Sequence, residues 1–212
     1  MKFLVITDLH QNIRALTWIN DTVKKERPDH ILFLGDITDF GTGEDAAKIL
    51  DSIEGDKYAI PGNTDPRDLP EKISKVAHSV HGKAFRLGDY DAAALGGSNI
   101  TIFNTPFELT EDEIDSALRP ISKKGMILIT HAPSYGILDH IPSGLSVGSP
   151  AVKKIVEDFR PILALSGHIH EDRGVLSIDG TVFVNPGPAK EGYSAIIRIE
   201  NGKVDVRLLG PL

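Results

Sequence analysis

The 212-residue chain contains no cysteine. Disulfide bonds, thiolate metal sites and cysteine nucleophiles are therefore excluded, and the sequence carries no record of the redox state of its compartment. Long apolar runs are lacking too. The amino-terminal run from Phe3 to Ile6 is too short for the core of a signal peptide or for a membrane span. We therefore expect a cytoplasmic protein without a membrane partner.

Positively charged residues are in the minority. Lysine and arginine number 23 against 30 aspartate and glutamate residues, which gives a formal net charge of −7. No basic stretch in the sequence could follow a phosphate backbone, so a long nucleic acid is not an expected partner. A small phosphorylated substrate stays open, because bound cations would reverse the local field at a site.

The composition predicts a single globular domain over residues 1–212. Apolar residues make up 41% of the chain and charged residues 25%. A chain of this length can bury roughly 70% of the surface that its unfolded form exposes. The sequence shows no linker, internal repeat or low-complexity segment, so we expect one rigid scaffold.

Short apolar runs alternate with helical spacing over the first two thirds of the chain. Buried strands are predicted at 3–6, 31–34, 57–60, 126–130 and 162–165. Helices are predicted at 13–23, from 42 or 44 to 50, and after Ser149, which would be an N-cap with Pro150 as the first helical residue. The first part of the chain is therefore predicted to have the element order βαβαβ.

The last third of the chain predicts antiparallel hairpins. Strands are expected at 174–178, 181–184, 194–199 and 203–208, separated by Asp179-Gly180, Pro186-Gly187 and Asn201-Gly202. An Asn-Gly pair is typical of a type I′ hairpin turn. Together with the βαβαβ start, this pattern predicts an α/β protein with two sheets packed face to face and helices outside.

Side chains that can bind metals follow the ends of five predicted strands. They are Asp8 with His10, Asp36, Asn63, His131, and His168 with His170. Because ligands of open α/β sheets bind at the carboxyl ends of strands, we expect these side chains at one rim. Each alone would be an ordinary turn former, helix cap or satisfied polar residue. Their joint occurrence favours a site for two divalent transition metals.

Five segments that carry these residues resemble the calcineurin-like metallophosphoesterase family. They are Asp8-Leu9-His10, Gly35-Asp36-Ile37-Thr38-Asp39, Gly62-Asn63-Thr64-Asp65, Thr130-His131-Ala132-Pro133 and Gly167-His168-Ile169-His170. The resemblance extends to Asn185-Pro186-Gly187. It implies a four-layer αββα sandwich of two mixed β-sheets flanked by helices, the metallo-dependent phosphatase-like fold. The segments 96–99 and 103–108 are similar to the small Icc-related phosphoesterase group.

The resemblance also assigns roles to the candidate residues. It gives one metal to Asp8, His10 and His170, the other to Asn63, His131 and His168, with Asp36 as the bridge. The ions would be Mn, Fe, Zn, Co or Ni, with manganese favoured. The expected catalytic residues are Asp36, Asn63, Asp65 and His131. Asp39 and Asp65 are expected to orient ligating imidazoles, or else to cap helices.

The expected function is phosphoester hydrolysis at a dinuclear metal centre. A hydroxide that bridges the two cations would attack phosphorus in line while the cations draw charge from the phosphoryl oxygens. Phosphodiesters of small molecules or nucleotides are the expected substrates. A phosphomonoesterase and a non-catalytic binding or scaffold protein with the same metal site are the alternatives. A homodimer also stays open.

One position departs from the family pattern. The asparagine of the third segment is followed by Thr64, where most relatives have a histidine that assists the leaving group. A threonine hydroxyl can donate a hydrogen bond but is no general acid near neutral pH, so good leaving groups should react preferentially. His140 is the candidate replacement beside the substrate. His78 and His81 are interpreted as structural.

Two further motifs are interpreted as chance matches. Gly144-Leu145-Ser146-Val147-Gly148 fits a nucleophile elbow, but no strand is predicted directly before the serine. The segment 41–46 fits a dinucleotide fingerprint, but its strand ends too early and two acidic residues would face the pyrophosphate. The segment 104–108 is expected to be a packing loop at the edge of a sheet.

Overall fold

The computed structural model describes residues 1–211, which form an α/β fold. The α-helices are α1 (Ala15–Glu26), α2 (Gly43–Asp51), α3 (Leu69–Lys72), α4 (Glu111–Leu118) and α5 (Pro150–Phe159). The strands are β1 (Lys2–Ile6), β2 (His30–Phe33), β3 (Lys57–Ala59), β4 (His78–Ser79), β5 (Lys83–Leu87), β6 (Tyr90–Leu95), β7 (Ser98–Asn99), β8 (Glu108–Leu109), β9 (Ile127–Thr130), β10 (Leu163–Leu165), β11 (Gly174–Ile178), β12 (Thr181–Asn185), β13 (Ser194–Glu200) and β14 (Lys203–Leu209). None of the helices in residues 1–211 is long and apolar enough to cross a membrane.

Two six-stranded mixed sheets carry the fold. The first has the order β14-β13-β1-β2-β3-β4 and the second the order β11-β12-β10-β9-β6-β5, while β7 and β8 form a small parallel pair. Parallel strands make up the centre of each sheet. Antiparallel hairpins lie at both edges of the second sheet and at one edge of the first, whose other edge strand, β4, is parallel to β3. The hairpin turns predicted at Asp179-Gly180 and Asn201-Gly202 are confirmed, since both residues of each pair have positive φ as a type I′ turn requires. Pro186-Gly187 forms no hairpin, because the chain passes there from the second sheet to the first.

The alternating side chains of β1 show why its apolar run is continuous. Phe3 and Val5 pack between the two sheets, whereas Leu4 and Ile6 pack under the helices on the other face, beside Ile19 of α1. A strand in the middle of a sheet that is covered on both faces needs apolar residues at every position. This burial explains the strand predicted at 3–6.

The second sheet is covered in the same way. Leu128 of β9 and Ala164 of β10 pack against Leu118 of α4 and Ile155 of α5. The N-cap predicted at Ser149 is confirmed, because its side chain accepts a hydrogen bond from the Val152 amide at the start of α5. The two sheets with helices outside both of them confirm the predicted αββα arrangement.

The carboxyl ends of the central strands of both sheets meet at one rim. Within the first sheet, the Asp8 amide after β1 donates to the Gly35 carbonyl after β2, at 3.1 Å. Across the sheets, the His131 ring after β9 donates to the Leu34 carbonyl at 2.8 Å. The fold therefore brings the loops from five strands together, as the sequence predicted. A single domain over residues 1–212 stays a prediction.

Candidate metal centre

Four of the candidate ligand residues have a left-handed backbone conformation. Asp8, His10, Asp36 and His168 have φ values of 54°, 47°, 50° and 69°. The left-handed region is uncommon for residues other than glycine and costs roughly 1–3 kcal/mol at each position. Such strain persists where the surrounding structure enforces it and is concentrated at functional sites. Four of the twelve non-glycine residues with positive φ in the described chain are candidate ligands, which agrees with a functional site at this rim.

The first group of ligand atoms comprises Asp8, His10 and His170. The Asp8 Oδ1 atom lies 3.2 Å from Nε2 of His170 and 3.9 Å from Nε2 of His10. The two Nε2 atoms lie 3.4 Å from each other. The other Asp8 oxygen, Oδ2, accepts a hydrogen bond from the His168 amide at 3.1 Å. One carboxylate oxygen and two imidazole nitrogens therefore converge on one point.

The second group is built around His131, which is fully buried. Its Nδ1 donates to the Leu34 carbonyl, which leaves Nε2 as the nitrogen that can bind a metal, 2.9 Å from the Asn63 Oδ1 atom. The Asn63 Nδ2 group donates to the Thr105 hydroxyl at 3.1 Å, which fixes the direction of the carboxamide oxygen. The His168 ring lies 5.1 Å from the His131 ring, measured between centroids.

Asp36 lies between the two groups. Its Oδ2 atom is 3.6 Å from Nε2 of His10 and 3.5 Å from Nε2 of His131. Its Oδ1 atom accepts a hydrogen bond from the Thr64 amide at 2.9 Å. A Cβ atom on Gly62 would lie 2.0 Å from this Oδ1, so only glycine allows the third loop to approach the carboxylate.

Opposite charges inside the site shift the pKa values of its residues. Burial alone would raise the pKa of Asp36, but the charge of His131 and its hydrogen bond lower it below the ordinary value. Burial disfavours the charge of His131, yet the Asp36 carboxylate raises the pKa of this imidazole to about 9. Burial, followed by the charge of His131, lowers the pKa of His168 to about 4. The same carboxylates that favour a proton on His131 would attract a metal cation.

The donor set fits divalent transition metals. Asp8 Oδ1 is buried and has no hydrogen-bond partner among residues 1–211. It belongs to two groups whose ligand atoms lie within 4.8 Å of one another, Asp8-His10-His170 and Asp8-Asp36-His131. Because a buried carboxylate oxygen without a donor is costly, a cation would satisfy it. Mixed oxygen and nitrogen donors suit Mn, Fe, Co, Ni and Zn.

Comparison with known proteins decides the family. The family model described as calcineurin-like phosphoesterase matches residues 1–172 of this chain. The chain belongs to the calcineurin-like phosphoesterase family. It is 34% identical over 199 residues to an uncharacterized protein of Methanocaldococcus jannaschii, covering 89% of this chain and 88% of that one.

This calcineurin-like phosphoesterase also resembles a further sequence relative and a solved structure. A probable glycerophosphodiester phosphodiesterase of Arcobacter nitrofigilis is 26% identical over 176 residues, covering 77% of this chain but only 64% of that protein. A dimetal phosphatase of Danio rerio has a solved structure with a TM-score of 0.68 and 15% identity, covering 99% of this chain and 96% of that chain. The latter shows the shared fold. The family and its phosphodiesterase relatives support a hydrolase that binds divalent metals.

The expectation that Asp65 orients a ligating imidazole is wrong. Its carboxylate is fully buried and accepts hydrogen bonds from the amides of Ile37, Thr38 and Gly62 and from the Thr38 hydroxyl. Burial and the charge of Asp36 raise the pKa of Asp65 to about 6. Both oxygens of Asp65 are therefore used to join the second and third ligand loops, and its catalytic role stays a prediction.

Thr64 and Asp39 have different surroundings. The Thr64 hydroxyl donates to the Thr38 carbonyl at 2.8 Å, so it is not directed to a leaving group. The Asp39 carboxylate is 59% exposed and its Oδ1 lies 3.8 Å from Nδ1 of His10. This distance is too long for a hydrogen bond but leaves the negative charge beside the imidazole that Asp39 was expected to orient.

Three histidines outside the centre have hydrogen-bond partners elsewhere in the fold. His140 donates from its backbone amide to Asp172, and its Nδ1 lies 2.8 Å from the same oxygen, Oδ2. Asp172 ends the short helix that begins at the candidate ligand His170, and the predicted place of His140 beside the substrate stays a prediction. His78 is exposed and paired with Asp56, while His81 accepts the Gly96 amide. Neither histidine contacts a candidate ligand of the centre in the described part of the chain, and their structural role stays an interpretation.

Sequence reasoning missed Thr105. The segment 104–108 was expected to be only a packing loop, whereas the Thr105 hydroxyl accepts the hydrogen bond that orients Asn63 and itself donates to Glu108 at 2.7 Å. The resemblance of 103–108 to one family group was the available signal.

The structure also bears on the two motifs interpreted as chance matches. Thr42 and Asp45 form a capping box for α2, and no strand of the described chain lies directly before Ser146. Both observations agree with that interpretation.

Proposed function

We propose that this calcineurin-like phosphoesterase hydrolyses phosphodiesters of small molecules or nucleotides with two divalent metal ions. The observation that carries the proposal is the position of Asp36, whose Oδ2 lies within 3.6 Å of one imidazole from each ligand group. A carboxylate between two cations holds them at a fixed separation and offsets their repulsion. The proposed ligands are the seven residues expected from the sequence: Asp8, His10, Asp36, Asn63, His131, His168 and His170.

The residues of the chain hold the site in a form that can accept two cations. When bound, divalent cations there would lower the pKa of water and withdraw charge from a phosphoryl group. The Leu34 carbonyl keeps the lone pair of His131 on Nε2. The Thr105 hydroxyl keeps the Asn63 oxygen directed to that same nitrogen. The strained loops therefore position the donors before a substrate arrives.

The charge of the site favours a diester over a monoester. The four positive charges of two dications would be opposed by the carboxylates of Asp8 and Asp36, which leaves two. Loss of a proton from the attacking water would leave one net positive charge at the site, which matches the single negative charge of a phosphodiester. A phosphomonoester carries nearly two negative charges at neutral pH because its second pKa is about 6. The phosphodiesterase relative supports the same choice.

A panel of three phosphoesters tests the proposal. Protein treated with a chelator and then loaded with Mn²⁺ is assayed on bis-4-nitrophenyl phosphate, 4-nitrophenyl phosphate and a glycerophosphodiester. We expect the highest kcat/KM for the nitrophenyl diester. The glycerophosphodiester should react more slowly, because the Thr64 hydroxyl is bonded to the Thr38 carbonyl and cannot assist an alkoxide leaving group.

The same panel separates the alternatives. A higher kcat/KM on the monoester would replace the proposal by a phosphomonoesterase. No turnover of any of the three esters by protein that retains its metals would favour a binding or scaffold protein. Equal rates for the nitrophenyl and glycerol diesters would show that another group protonates the leaving oxygen. The Thr64→Val variant is the matched control, and we expect it to keep the wild-type ratio of these two rates.

A further inference from the structure

The loop between β9 and α5 is closed by a buried carboxylate outside the centre described above. Asp139 is fully buried, and its Oδ2 atom accepts the amides of Gly136 and Gly148, each at 2.9 Å. Its backbone carbonyl accepts the Val147 amide at 3.1 Å. These bonds bring the two ends of the segment 136–148 together, and they use only one of the two carboxylate oxygens.

The second oxygen has no such partner. Asp139 Oδ1 is buried and has no hydrogen-bond partner among residues 1–211. It lies 3.7 Å from Nδ1 of His140, and that nitrogen lies 2.8 Å from the Asp172 Oδ2 atom. A hydrogen bond between His140 and Asp172 satisfies those two residues but leaves Asp139 Oδ1 unsatisfied, because 3.7 Å is beyond hydrogen-bond range. A buried carboxylate oxygen without a donor requires another partner.

We propose that Asp139, His140 and Asp172 bind a divalent transition-metal cation such as Zn²⁺, separately from the proposed dinuclear centre. The three ligand atoms lie within 4.8 Å of one another. Zinc binds carboxylate oxygen and imidazole nitrogen at about 2.0–2.2 Å, so two of its ligand atoms can be up to about 4 Å apart. The separations of 2.8 and 3.7 Å fit one shared ion. The half-exposed His140 leaves a coordination position open to water.

Binding replaces one hydrogen bond by metal bonds. The Nδ1 proton of His140 leaves to solvent and Nε2 carries a proton, which a neutral imidazole takes up from solvent in exchange. The Nδ1 lone pair of the neutral ring then binds the cation together with one oxygen from each carboxylate. Two negative charges and a dication leave the site neutral. The cation would thereby satisfy the buried Oδ1 of Asp139, which the imidazole alone does not reach.

The position of the site gives it a structural role. Asp172 ends the short 3-10 helix His170–Asp172, which begins at a ligand of the proposed dinuclear centre. Asp139 and His140 belong to the loop that precedes α5. A cation bound between them would fix this loop against the segment that carries His170. The site would therefore hold a loop next to the metal centre without taking part in the chemistry.

Metal stoichiometry tests the proposal. The wild type and three variants, His140→Ala, Asp172→Asn and His78→Ala, are dialysed against Zn²⁺ and analysed for zinc per chain. His78 is the matched control, because it is an exposed histidine paired with a carboxylate, Asp56, outside any group of three ligands in the described chain. The Asp139 contacts that close the loop remain in all three variants.

We expect His140→Ala and Asp172→Asn each to bind one zinc ion fewer than the wild type, while His78→Ala binds the wild-type number. The expected difference does not depend on how many ions the other centre holds, so it is independent of the proposed function. Equal zinc content in the wild type, His140→Ala and Asp172→Asn would overturn the proposal, as would loss of an ion in His78→Ala alone. Circular dichroism confirms that each variant is folded.

Discussion

At the scale of single residues, the proposed binding of two metals depends most on Asp36. Its Oδ2 atom adjoins one imidazole of each group, and its Oδ1 atom is held by the Thr64 amide. Removal of its charge would leave two neighbouring cations without the carboxylate between them.

The Asp36→Asn variant should therefore lose at least one metal ion per chain and most of its activity. Elemental analysis of metal-loaded protein after gel filtration measures the loss. Asp39→Asn is the control, because this carboxylate is 59% exposed and 3.8 Å from the nearest ring nitrogen of His10. Retention of the wild-type number of ions and of activity by Asp36→Asn would refute the bridging assignment.

Thr105 is predicted to act through Asn63. Its hydroxyl accepts the Asn63 Nδ2 hydrogen bond at 3.1 Å, so Thr105→Val should let the carboxamide turn and weaken metal binding by about 10–100-fold. Isothermal titration with Mn²⁺ measures this change. Thr101→Val is the matched control, because the Thr101 hydroxyl donates to the same Glu108 side chain without contacting Asn63. Equal weakening in both variants would assign the effect to the loop as a whole.

The ligand types could be recognised in the sequence, but the partners of their neighbours could not. Asp8, His10 and Asp36 stand in short segments with a typical order, and the structure brings them together. The contacts of Asp65 and of the Thr64 hydroxyl are mostly with backbone amides and carbonyls, which nearly every residue carries. Only the fold determines which of those groups lies near, so sequence patterns gave Asp65 the wrong partner.

At the scale of elements, strands with flanking turn signals were predicted and others were missed. The strands at 174–178 and 203–208 are confirmed with bounds within one residue. Strand β6 (Tyr90–Leu95) was missed because its central residues, Ala92–Ala94, have the highest helix propensity. Those alanines are buried between neighbouring strands, so tertiary packing overrides the local preference.

The link between β4 and β6 is predicted to be sensitive to acid. His81 accepts the Gly96 amide at Nδ1, and burial followed by the charges of Arg67 and Lys83 lowers its pKa to about 4 from an ordinary value near 6.5. Between these pH values the unfolded chain binds a proton that the folded chain does not. Acidification from pH 6.5 to 4 should therefore lower the free energy of unfolding by up to about 1.4 kcal/mol per pH unit.

The His81→Asn variant should remove this part of the pH dependence. Asparagine can still accept the Gly96 amide but does not titrate. Urea unfolding of both proteins with a chelator present, at several pH values from 4 to 7, gives the difference in slope. The control His78→Asn should follow the wild type, because His78 is exposed and outside this contact. Parallel curves for wild type and His81→Asn would contradict the prediction.

At the scale of the whole molecule, the proposed centre joins the two sheets. Asp8, Asp36 and Asn63 follow strands of the first sheet, whereas His131 and His168 follow strands of the second. Any metal that binds ligands from both sheets favours the folded state over the unfolded one. The sheets also share an apolar core, so metals would add to a fold that already has its own packing.

Metal binding should therefore raise the thermal stability of the protein. At a free metal concentration 100 times the dissociation constant, one site adds about 2.7 kcal/mol, which corresponds to roughly 5–10 °C in Tm for a chain of this size. Differential scanning calorimetry of chelated and Mn²⁺-loaded protein measures the shift. Asp36→Asn should show a smaller shift than the wild type, and an unchanged Tm on loading of the wild type would contradict the joining of the sheets by metal.

We propose above all that the protein hydrolyses phosphodiesters with metal ions bound at the rim, where Asp36 lies between the two ligand groups. The most direct measurement is the rate of bis-4-nitrophenyl phosphate hydrolysis as chelated protein is titrated with Mn²⁺, for the wild type and Asp36→Asn side by side. We predict no turnover before metal is added, a rate that rises to saturation in the wild type, and little recovery in Asp36→Asn. Equal rates with and without metal, or full recovery in Asp36→Asn, would contradict it.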